Sequence, residues 1–118
     1  MTEQALLIAN RDGVITLWND TATDLFGHAA DAAVGASLDL IVPEDFRARH
    51  WDGFNRAFTD GIRDMQRIAR MPVLCADGQV RHFPGHLLPI KGPHGELVAI
   101  AGVYAAPSDR DDGLFTIS

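Results

Sequence analysis

Few side chains in this sequence can ligate a metal or move a proton in a useful setting, and His50 stands apart from the rest. At roughly 100° per residue, Phe46, His50, Phe54 and Ala57 fall on one helical stripe, with Phe58 beside it. An ionisable ring therefore sits among aromatics on a face that must cover other structure. Such a ring is either a core imidazole bonded to a backbone carbonyl or a neutral nitrogen ligand. The other histidines offer less. His82 and His86 share one strand face, but four residues of strand span ~13 Å, too far to chelate one metal. They read as solvent-facing, while His28 follows a helix-closing glycine and His94 lies in a turn. The lone Cys75 can form neither an internal disulfide nor a cysteine-type zinc site. No Ser-His-Asp set, phosphate-binding loop or paired carboxylates has the local context for catalysis.

The elements that position these residues follow from changes in period. Apolar residues 5–9, a turn at Asn10-Arg11-Asp12-Gly13 and a β-branched stretch over 14–18 predict a hairpin. Asn19 and Asp20 can cap a short helix over 21–26, closed by Gly27. Pro43, Glu44 and Asp45 start the one long helix, expected to run to about Thr59 before Gly61. Beyond it the period becomes two, and residues 66–75, 79–90 and 97–104 predict three strands joined as a meander. Strands flanking one helical block predict an α+β domain: an antiparallel sheet with its helices on one face.

With 118 residues, 47% hydrophobic and 22% charged, the chain makes one domain, expected over 1–106 with a polar, mobile tail over 107–118. A net charge of −6 argues against nucleic acid or an anionic membrane as the main partner. No apolar run approaches the ~20 residues of a membrane span, and no signal-type start is present, so a cytoplasmic location is expected.

The element order, together with ITLWND, TDLFG, LIVPEDFRARH, ADGQVRHF and the final apolar strand, resembles the PAS sensor fold, a five-stranded antiparallel sheet, over roughly residues 3–105. Within PAS, VPEDFRARHWDGFNRAF is similar to the long helix of the haem-bearing domains of oxygen-sensing nitrogen-fixation kinases, the FixL type. Pro43, Glu44, Arg49, His50 and Arg56 match its pattern without a gap. The resemblance implies that His50 is the proximal iron ligand of a haem b and that Arg56 lies near the propionates. Carried across a one-residue deletion, it puts Arg70 at the distal arginine that bonds oxygen. Asp64 stands where the family has a second propionate-side histidine. Cys75, at a strand end, does not match the reactive cysteine of the flavin-binding type.

A haem needs a largely apolar slot. Phe83 and Leu87 flank Gly85, where a missing side chain would let a flat ring approach the backbone, and Gly102 and Gly53 add clearance. Phe54, Met65, Ile68 and Met71 extend an apolar wall. Arg49 and Arg56 share a helical face, about 20° apart, with Asp52 between them. Arg49 reads as part of a solvated Asp-Arg ladder. Arg70 needs an anion or polar ligand if it points inward and is an ordinary edge charge if it points outward.

The expected function is a haem PAS sensor that binds a diatomic gas (O2, CO or NO), with Arg70 and Leu87 on the distal side. The alternative is a haem-free interaction module with an empty or metabolite-filled core. An enzyme reading has only one route, redox chemistry carried by the haem. Signal-relay PAS domains usually end in an Asp-x-Thr motif and a coiled coil, whereas here Tyr104-Ala105-Ala106-Pro107 follows the last strand. Output through a protein partner in trans is therefore expected, with a homodimer that also shelters Leu114, Phe115 and Ile117.

Overall fold

The computed structural model describes residues 4–61 and 68–106. Strands β1 (Ala5–Asn10) and β2 (Ile15–Trp18) form the expected hairpin. Asn10 makes its turn: its Oδ1 accepts from the backbone N–H of Asp12 at 2.9 Å and of Val14 at 3.1 Å. Helices α1 (Asp20–Phe26) and α2 (Ala30–Ala33) follow, then two 3-10 turns, Leu38–Leu40 and Glu44–Phe46, then helix α3 (Arg47–Asp60). Three strands follow: β3 (Ala69–Leu74), β4 (Val80–Lys91) and β5 (Leu97–Tyr104). All pairings are antiparallel, and the order across the sheet is β2-β1-β5-β4-β3.

The predicted long helix differs at its start. Residues 44–46 take a 3-10 turn closed by Phe46 N–H to the Pro43 carbonyl at 2.9 Å, and α-helical bonding begins only at Arg47. Arg47 anchors that junction, donating through Nε to the Val42 carbonyl and through Nη2 to the Asp39 carbonyl, both at 3.2 Å. These bonds satisfy two carbonyls of the loop that leads into α3.

Alternation along β1 buries Ala5, Leu7 and Ala9. On α3 the buried residues are Phe54 and Ala57. They join one core with Phe26, Phe83, Ile100 and Tyr104. Phe26 sits at its centre, its ring edge-on to Trp18 (5.7 Å), Phe83 (5.0 Å) and Tyr104 (5.2 Å). Phe26 thus fills the core under α1, and the region beneath α3 stays open.

Candidate functional site

Helix α3 stands off the sheet, leaving a hollow of about 460 Å³ between them. Its walls are Leu7 and Ala9 of β1, Ile100, Gly102 and Tyr104 of β5, Leu87 of β4, residues 71–73 of β3, and the helix face bearing Phe46, His50, Gly53 and Phe54. Among the described residues, only Arg49, His50 and Tyr104 bring a polar side chain to this wall. Burial of Tyr104 pushes its phenol up to about 12, so the group is neutral at ordinary pH.

His50 is half-buried, and its Nδ1 is buried with no hydrogen-bond partner among the described residues. Its ring lies edge-on to Trp51 at 4.8 Å and stacked on Phe54 at 5.8 Å. Burial pushes its pKa down, only partly opposed by the nearby charge of Asp39. The imidazole is therefore neutral at pH 7, with a lone pair to offer. Helix position is fixed next door: Trp51 Nε1 donates to Asp39 Oδ1 at 2.8 Å, and the indole covers Gly13, leaving no room there for a Cβ. Gly13 also takes φ +77°, which a side chain would strain.

The structure brings His50, Phe54, Leu87 and Gly102 to this hollow, together with Gly53 and Met71. Several other expected residues lie elsewhere. Arg56 points outward, its side chain 64% exposed and paired with Asp52, so the Asp-Arg ladder is made by Arg56 and not by Arg49. Arg70 is exposed on β3, at the parity opposite to Met71 and Val73. Phe83 is fully buried, but against Phe26 under α1. Gly85 does not clear space for a flat ring. A Cβ there would fall 2.7 Å from the Val103 carbonyl oxygen, 2.9 Å from Met71 Cε and 3.0 Å from Tyr104 Cδ2, so those neighbours already fill the gap. Met65, Asp64 and the tail residues Leu114, Phe115 and Ile117 lie outside the described residues.

Arg49 and Tyr104 were not among the expected wall residues. Tyr104 follows Gly102 by two in one strand, which puts both on one face, and Arg49 follows Phe46 by three on the helix. Both signals are local but weak, because many residues satisfy them.

The chain belongs to the PAS family: the sequence model described as PAS fold matches residues 2–112. An uncharacterized protein of Azorhizobium caulinodans is 33% identical over 85 residues, covering 70% of this chain. The match takes in only 11% of that relative's length. Among solved structures, the PAS domain of a Colwellia psychrerythraea protein superposes with a TM-score of 0.76 at 18% identity, over 91% of this chain and 88% of that one. The PAS domain of the Cronobacter turicensis RpfR quorum-sensing receptor, in complex with C12:0, superposes with a TM-score of 0.69 at 15% identity, over 91% and 97% of the two chains. At those identities the likeness is one of fold. This is a PAS domain, and among its described residues no helix is long and apolar enough to cross a membrane.

Proposed function

We propose that the hollow holds haem b with His50 as its protein ligand, and that the domain senses a diatomic gas and passes the signal to a protein partner. One observation carries this reading. A neutral imidazole lines a largely apolar hollow while its buried Nδ1 has no hydrogen-bond partner among the described residues, and an orphaned buried polar atom costs about 1–3 kcal/mol unless something engages it. Imidazole can ligate a metal through either ring nitrogen. Among the described residues no three histidine, cysteine or acidic side chains gather around one point. A bare metal ion would need such a cage, whereas haem brings four nitrogens of its own and asks the chain for one imidazole.

Haem iron supplies the coordination of O2, CO or NO. The chain's residues do the rest. Trp51 and Phe54 hold the His50 ring in place, and Met71, Val73, Leu87 and Ile100 exclude water from the opposite wall. With Arg70 exposed on β3 and not at the wall, the residues facing His50 offer mainly apolar contact. That would suit CO or NO, while O2, which gains more from a hydrogen-bond donor, would depend on the neutral Tyr104 phenol. Strands β4 and β5 carry wall residues on one face, so ligand-linked shifts there bias the opposite face toward or away from a partner.

A second reading has its own support. Met71 and Tyr104 fill the space over Gly85, and Arg56 is tied outward to Asp52, which suits a narrower, haem-free apolar ligand. The RpfR domain, of the same fold, is in complex with C12:0. Visible absorption separates the two. Protein produced with ample haem is expected to be red, with a Soret band that His50→Ala weakens or shifts. A colourless protein that takes up no added hemin but binds dodecanoate supports the apolar-ligand reading and overturns the first.

A further inference from the structure

We infer that Arg49 is the anion-recognising group of the hollow, and that the ligand carries a carboxylate at the rim while its apolar body lies inside. This deepens the reading that the hollow takes a ligand, and rests on it. Arg49 is the one charged side chain among the described residues that line the cavity. It is exposed, which places it at the rim and next in sequence to His50.

Its charge is uncommitted. Among the described residues Arg47 pairs with Asp39, Arg56 with Asp52 and Arg81 with Asp77, and Arg49 joins none of these pairs. Asp39 is doubly occupied, since it also accepts from Trp51. The Arg49 guanidinium instead lies over the Phe46 ring, 5.3 Å from its centre. A guanidinium over an aromatic ring keeps N–H groups that can still reach an anion. At the lip of an apolar slot such a group can take a carboxylate through two parallel N–H bonds. The matching ligand is amphipathic: flat or extended apolar carbon ending in a carboxylate. A haem propionate and a free fatty acid share that chemistry.

The test pairs acids with their neutral counterparts. Hemin and hemin dimethyl ester are titrated by their absorption, dodecanoate and dodecanol by calorimetry, into wild type, Arg49→Gln, Arg49→Lys and Arg56→Gln. Whichever acid binds wild type is expected to bind Arg49→Gln about tenfold more weakly, the loss of one exposed charge-assisted contact. Arg49→Lys recovers part of that loss, and the ester or alcohol changes less than twofold. Added salt should weaken acid binding to wild type and leave Arg49→Gln nearly unaffected. A hemin response identifies the propionate as the source, and a response confined to dodecanoate identifies the fatty acid. Equal losses for acid and neutral probe, no loss at all, or a loss in Arg56→Gln in place of Arg49→Gln overturns the assignment. Hemin that binds wild type and Arg49→Gln alike, with a Soret band dependent on His50, overturns it while the haem reading stands. Failure of both hemin and dodecanoate to bind wild type overturns both.

Discussion

An imidazole that loses water on folding without gaining a partner must resist protonation, and His50 does so in the wall of the hollow. The sign of the consequence is fixed by linkage. Above its ordinary value of about 6.5 the ring is neutral in folded and unfolded chains alike. As pH falls below that value the unfolded chain binds the proton first, so stability drops until the lowered folded pKa is passed. His50→Phe keeps the aromatic contacts with Trp51 and Phe54 and removes the titration. Urea unfolding of both proteins between about pH 7 and pH 5 should show the wild type losing ground to the variant as pH falls. Parallel curves would mean that the His50 ring is hydrated in the folded state.

The short helix α1 depends on a single side chain. Asn19 Oδ1 accepts from the Ala22 N–H at 2.9 Å, capping the helix, and from the Leu6 N–H at 3.0 Å in β1. Its Nδ2 donates to the Gln4 carbonyl at 3.0 Å. At seven residues α1 has little helical stability of its own, so these bonds fix where Phe26 enters the core. Asn19→Ala should cost about 2 kcal/mol, a lost cap plus an unpaired strand N–H. Asn19→Asp keeps both accepted bonds and loses only the donated one, so its thermal midpoint should fall between wild type and Asn19→Ala. Equal damage from both substitutions would place the weight on the Gln4 bond.

Across the whole molecule, the sheet has a second apolar face. The register aligns Leu7, Gly102 and Leu87 on the side of the hollow and Ile8, Ala101 and Leu88 on the opposite side. Leu6, opposite Val103, and Ile90, opposite Ala99, extend that outer patch, with Ile8 and Leu88 partly exposed. A contiguous aliphatic strip across three strands favours self-association. Light scattering at high micromolar concentration is expected to give twice the chain mass, and Leu88→Glu to give the single chain with unchanged helix content. A single-chain mass for the wild type would show that the strip is covered in another way.

Periodicity is local, and what depended on it was legible in the sequence. Alternation fixed which residues of β1 go inward, the 3.6-residue repeat put Phe54 and Ala57 into the core, and Asn19 and Gly27 marked both ends of α1. The same stripe carried His50 to the side of the hollow. Choosing between Arg49 and Arg56 was beyond that information. The two share nearly one azimuth but stand ~10 Å apart along the helix axis, and rotation arithmetic is blind to height. Only the docked helix shows that the hollow opens at Arg49, one turn or less from Phe46, while Arg56 pairs with Asp52 above solvent. Gly85 likewise looked like clearance along its own strand. Its space is filled by Met71 and Tyr104 from the two neighbouring strands, a contact that exists only once the register of three strands is set.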